Sequence, residues 1–206
     1  MITINTMNSI MRFSLTVNNY FEVLVPELSD KDNYYYQPTE KLHVFDIVTL
    51  VYCNNNIKTE FLQDAAADIL GRPHCALPKV LLNKSILPDH IPFGSVSLWF
   101  SINTAKGDFG FKFGSFCLWS TISQPETWLY NKDNKIYLEV SLPYPWLFSD
   151  PKSSDNYYSL DEYIRNYKPI AVYEISRETA QQWLEQCNTI LDTMDAPPGY
   201  IRWHQD

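Results

Sequence analysis

The chain has 206 residues, 45% hydrophobic and 19% charged, with 15% aromatic side chains led by 14 tyrosines and a formal net charge of −8. That length can bury a core without metal or disulfide staples, and the composition excludes an intrinsically disordered chain. The acidity disfavours nucleic-acid phosphates and anionic lipid as partners and favours a cationic one.

Residues 1–10 read as a loose tail. Residues 11–17 alternate, with Phe13, Leu15 and Val17 on one face, and predict a strand. Asn18 and Asn19 suit a two-residue hairpin turn because asparagine tolerates positive φ, and 20–25 then form the second strand, closed by Pro26. Residues 26–41 are polar, with proline at 26 and 38, and predict an exposed loop. The β-branched apolar run 42–52 fits either a buried strand or a buried helix.

Residues 59–71 predict a helix with Thr59 as N-cap and Phe61, Leu62, Ala65, Ala66 and Ile69 as its stripe, stopped by Gly71 and Pro73. An irregular connector is expected over 72–94, with a short helix near 79–83. From 95 to 142 the pattern is β. Short turns, including Lys132-Asp133-Asn134, link successive strands into an antiparallel meander with one solvated face. In the last of these strands Ile136, Leu138, Val140 and Leu142 point inward, and Tyr137, Glu139 and Ser141 point to water. A short helix over 159–167, a strand over 168–175 and a strong helix over 176–194 complete the chain. The last carries a stripe of Ala180, Trp183, Leu184, Cys187, Ile190, Leu191 and Met194. The expected architecture is one α+β domain over 1–206: a mostly antiparallel sheet, built from an N-terminal hairpin and a central meander, with helices packed on one face.

Cys53, Cys75, Cys117 and Cys187 are widely spaced with no CxxC pair, which predicts reduced thiols and a cytoplasmic protein. The N-terminus lacks the basic start and apolar core of a signal peptide, and the best apolar run, 44–53, is too short to span a bilayer and contains Asp46. Catalytic signatures are weak. Asp108-Phe109-Gly110 matches a kinase triplet, but no glycine-rich loop or catalytic loop accompanies it, and turn chemistry accounts for it. His74 and Cys75 could form a nucleophile–base pair or begin a metal site, yet their spacing to His43, His90 and Cys53 fits no zinc pattern. No cofactor and no metal are expected.

Two stretches stand out. SDKDNYYYQP at 29–38 and SSDNYYSLDE at 153–162 each set acids beside runs of tyrosine. Residues 1–50 carry −3 and residues 151–206 carry −4, so both stretches lie in the acidic ends of the chain. The simpler account is that these rings fold over the edge of the sheet. The functional account is a protein-binding surface, because tyrosine offers large contact area with few torsions to freeze and neighbouring carboxylates steer a basic partner. Its candidate residues are Asp30, Asp32, Tyr34, Tyr35 and Tyr36, with Asp155, Tyr157, Tyr158, Asp161 and Glu162.

In size, acidity, mixed α+β pattern and lack of a catalytic signature, the chain resembles bacterial immunity proteins of polymorphic or contact-dependent growth-inhibition toxin systems. The closing strand–helix PIAVYEISRETAQQWLEQCNTIL and the two acidic tyrosine stretches carry that resemblance. It implies a cytoplasmic, non-enzymatic protein that binds and blocks a cognate, basic toxin, with neither nucleic acid nor membrane as partner. Two other classes compete with it: an enzyme with a pocket near His74 and Cys75, and a structural or phage-related interaction protein.

Overall fold

In the computed structural model, residues 7–26, 41–84, 116–119, 126–141 and 169–200 are described. They form two antiparallel sheets of four strands, each with its strands in sequence order, and two helices. This is the mostly antiparallel α+β class that the alternation predicts. The chain groups into two compact units, Met1–Leu77 with Glu178–Asp206, and Pro78–Arg177.

The first unit holds β1 (Met7–Ser14), β2 (Tyr20–Pro26), β3 (Ile47–Asn54) and β4 (Ile57–Ala65). β1 reaches back to Met7, into the segment read as a tail. The turn after it is not the two-residue Asn18-Asn19 hairpin. Ser14 pairs with Tyr20, the loop spans 15–19, and the Leu15 and Thr16 amides both donate to the Asn19 carbonyl. Asn19 instead spends its side chain on the next hairpin, accepting from the Asn55 amide at 2.8 Å. β3 resolves the strand-or-helix ambiguity. It is a strand buried on both faces, which is why its apolar run is continuous.

The predicted helix over 59–71 is corrected. Residues 57–65 are β4, paired along β3, and the helix α1 (Ala66–Leu81) begins where that prediction nears its end. Its first amides are satisfied by carbonyls of the segment that leads into β3: Ala66 donates to Asp46 at 2.8 Å and Ala67 to Val44 at 3.1 Å. Gly71 and Pro73 do not stop it, and the expected irregular connector is helical as far as Leu81. α2 (Arg177–Thr193) matches the expected C-terminal helix and buries Ala180, Trp183, Cys187 and Leu191. It covers one face of the first sheet, where Phe13 meets Trp183 edge-on at 5.5 Å and the Cys187 thiol meets the Met11 sulfur at 3.7 Å. Phe21 stacks on Tyr52 and meets Phe61 edge-on.

The second unit holds β5 (Phe116–Trp119), β6 (Glu126–Lys132), β7 (Lys135–Ser141) and β8 (Ala171–Ile175), the described part of the expected meander plus the strand predicted over 168–175. The solvated face is a second correction: Tyr137, Glu139 and Ser141 are buried along with Ile136, Leu138 and Val140. A register shift between Cys117 and Trp119 is bridged by Thr127, whose hydroxyl accepts from the Trp119 amide and donates to its carbonyl. The end of α1 also lies in this unit. Asn83, at φ 55°, closes it in a left-handed cap. The Lys84 amide donates back to the Lys79 carbonyl and the Asn83 amide to that of Val80. Arg177 donates to the Leu81 carbonyl, and Asn131 adds a second bond to the Val80 carbonyl, so side chains help to satisfy the last carbonyls of the helix. The strands predicted between 95 and 115 and the helix predicted over 159–167 lie outside the described residues.

Candidate functional site

The chemistry on the first sheet centres on Glu22. Hairpin register places Glu22 opposite Arg12, and Tyr20 opposite Cys53, which itself pairs with Lys58. Directly paired residues share a face, so these side chains project together. Glu22 is only 1% exposed. One of its oxygens accepts from Arg12 Nη2 at 2.7 Å and Nε at 3.2 Å, and the other accepts from Lys58 Nζ at 2.7 Å, which reaches across β3. The Arg12 guanidinium also lies 4.0 Å from the Tyr20 ring centre, a cation–π contact.

The protonation states follow from this packing. Burial pushes the Glu22 carboxyl up, but hydrogen bonds from Lys58 and Arg12 outweigh it and hold the group below the ordinary carboxylate value. The same bonds raise Arg12 and Lys58. Two cations therefore serve one carboxylate, leaving a local excess of positive charge on an acidic chain. Sequence reasoning missed this cluster. The available signal was an acid in the middle of the apolar strand YFEVLV, which demands a cation on a neighbouring strand.

Arg12 also forms part of a groove of about 300 Å³ beside β1. Ser14 at the end of β1 and Thr16 in the loop after it continue that wall, and Gln182, Trp183 and Gln186 supply the helix wall. Those α2 positions belong to one helical stripe. Trp183 is 4% exposed and fixed against Phe13, whereas Gln182 and Gln186 are exposed. Among the described residues Arg12 is the only charged one that lines the groove, and its guanidinium turns to Glu22 and Tyr20, on the face of the sheet opposite Phe13. The groove thus offers mainly neutral hydrogen-bonding groups, including the exposed side chains of Gln182 and Gln186.

The residues proposed from sequence for partner binding, Asp30, Asp32, Tyr34, Tyr35, Tyr36, Asp155, Tyr157, Tyr158, Asp161 and Glu162, all lie outside the described residues. His74 and Cys75 sit on α1, where the His74 ring meets the side-chain oxygen of Asn188 on α2 at 2.5 Å and Cys75 is half-buried. Among the described residues, no three His, Cys, Asp or Glu side chains gather to hold a metal, and no helix is long and apolar enough to cross a membrane. No family model, no curated protein and no solved structure matches the chain.

Proposed function

We propose that this chain is a toxin-neutralising immunity protein: a cytoplasmic, non-enzymatic binder that blocks a cognate basic toxin domain through its two acidic, tyrosine-rich stretches. The observation that carries this is the placement of charge. Of the net −8, residues 1–50 supply −3 and residues 151–206 supply −4, and those are the parts of the chain that contain both stretches. Carboxylates there draw a cationic surface in, and tyrosine rings give it rigid, amphipathic area to dock on.

The described residues lend support in one respect. The groups best suited to begin chemistry are engaged in holding the fold: Glu22 by two cations, His74 by Asn188, and the Cys187 thiol by burial that pushes its ionisation far up. Calorimetric titration of the purified chain against the toxin domain encoded in the neighbouring reading frame tests the proposal. Tight binding with loss of toxin activity is expected. The double variant Asp32→Ala/Tyr35→Ala is expected to bind about thirtyfold more weakly while its melting temperature stays put. A toxin left fully active by the wild-type chain, or a double variant of unchanged affinity, would overturn it.

A further inference from the structure

We propose that β4 pairs antiparallel with β4 of a second copy of this chain, about a twofold axis at Thr59. β4 ends the order β1-β2-β3-β4, and among the described residues no strand pairs with its far side. Ile57, Lys58, Thr59 and Glu60 are all exposed, Ile57 at 70%, so this stretch of the edge is open to solvent. The hairpin fixes which main-chain groups point outward. Asn54 and Ile57 flank the two-residue turn at Asn55-Asn56 and face each other as a bonded pair. Bonding direction alternates along a strand, so Lys58 and Glu60 turn their amides and carbonyls away from β3. The register shift between Leu50 and Val51 puts an extra residue, Phe61, into β4 and ends the regular edge there. Outward groups two residues apart are what a twofold strand pair needs. In the register centred on Thr59, Lys58 of each copy exchanges both main-chain bonds with Glu60 of the other, and the two Thr59 residues face each other as a pair without bonds between them.

Charge selects this occupant and this register. Glu60 is exposed, and among the described residues none bonds its carboxylate. Moving the axis by one residue would set Lys58 against Lys58 or Glu60 against Glu60, and like charges directly opposite repel. With the axis at Thr59, each Glu60 stands opposite a Lys58 instead. Pairing through Val51 puts Glu60 on the same sheet face as Glu22. Lys58 keeps its bond to Glu22, but an ammonium has three donors, and on this face two cations already serve one carboxylate. Glu60 of the copy therefore meets a net positive edge. A lysine on an exposed edge ordinarily discourages strand addition, whereas the acid two residues on makes this edge complementary to itself. The contact is short, well under the ~800 Å² per partner of a stable complex, so the dimer is expected to be weak, with a dissociation constant on the order of 0.1 mM.

No toxin is needed to test this, so the result stands apart from the proposed function. Sedimentation equilibrium of the full chain from about 10 µM to about 1 mM should show dimer growing with concentration. Over the same range the Lys58 and Glu60 amides should exchange more slowly, while the Thr59 amide, turned toward β3, should not change. Glu60→Lys sets like charges opposite each other at an exposed position. It should weaken the dimer about tenfold and leave the circular dichroism spectrum unchanged. Thr59→Cys should give a disulfide-linked dimer on mild oxidation, because directly opposed Cα atoms without bonds between them lie about 4.5 Å apart. Ile57→Cys should not, since four residue steps, about 13 Å, part it from its own copy. The wild-type chain gives the background from its native cysteines. A monomer throughout, equal cross-linking of the two cysteine variants, or a dimer indifferent to Glu60→Lys would overturn the proposal. So would Lys58 and Glu60 amides that gain protection only when a toxin domain is added, because the edge would then take a partner's strand and not a second copy.

Discussion

Glu22 carries its charge at 1% exposure because Arg12 and Lys58, at 49% and 39% exposure, each bond one of its oxygens at 2.7 Å. Taking a carboxylate out of water costs several kcal/mol, and only good pairing offsets it. Removing either cation leaves the other in place, so Arg12→Met or Lys58→Met alone should cost about 1 kcal/mol, while the double variant should cost about 4 kcal/mol by leaving a buried charge uncompensated. The pH dependence has a definite sign. Because the folded carboxyl lies below its ordinary value of 4.5, its contribution is complete above that value and is lost as pH falls through the lower folded value. In the double variant both cations are gone and burial, the largest cause, raises the carboxyl against the one remaining hydrogen bond from Ser9, so mild acid should relieve the destabilisation rather than add to it. Urea denaturation of the four proteins near neutral pH and at about pH 4 reads both effects, and additive losses at neutral pH would refute the shared-carboxylate account. The ion pair with Arg12 was out of reach of the sequence, because a two-residue Asn18-Asn19 turn would set Glu22 opposite Leu15 and only the longer loop over 15–19 brings it opposite Arg12. Lys58 was out of reach too, because the segment that follows it read as helix and not as a strand paired with β3.

Between elements, the boundary of α1 shows what local pattern can and cannot decide. Phe61, Leu62, Ala65, Ala66 and Ile69 happen to fit a helical stripe, yet pairing with β3 claims everything through Ala65. Beyond it, Ala66, Ile69, Leu70, Pro73, Leu77 and Val80 form a longer stripe, all buried. Burying large aliphatic side chains at about 1.5–3 kcal/mol each outweighs about 3 kcal/mol for each interior proline, so tertiary packing overrides the stop signal. Turn chemistry was legible in part: the turn at Lys132-Asp133-Asn134 was expected, whereas the one read at Asn18-Asn19 is a longer loop over 15–19. Asn55 and Asn56 take φ 50° and 67°, and Asp133 and Asn134 take 51° and 62°, each between residues that close a strand pair, as two-residue hairpins require. Asn56→Gly should therefore be neutral or slightly stabilising, whereas Asn56→Val should cost about 1–2 kcal/mol, because a β-branched side chain resists that backbone. Thermal melts of the two variants separate these outcomes, and equal melting temperatures would mean that the turn has rearranged. The groove beside β1 was beyond sequence reasoning for a different reason. Its two walls lie at opposite ends of the chain, so no local period or motif joins Arg12 to Gln182.

Across the whole molecule, the alternation of apolar and polar residues conveyed the antiparallel α+β class, but the both-faced burial of β7 was hidden by that same alternation. Tyr137 and Ser141 look solvated in sequence and are covered in the fold. Charge behaves differently, since it acts through space whatever covers a strand. A chain of net −8 sets up a field that reaches past its contact residues, and under the proposed function this field should govern how fast a basic toxin arrives. At about 0.02 M ionic strength the Debye length exceeds 20 Å, and at about 0.2 M it falls below 10 Å, so the association rate should drop about tenfold between them. Dissociation is set by short-range contacts and should change far less. Stopped-flow mixing across that salt range resolves the two rates. An association rate indifferent to salt would mean that the acidic ends of the chain do not steer its partner, and the tyrosine rings alone would then have to account for recognition.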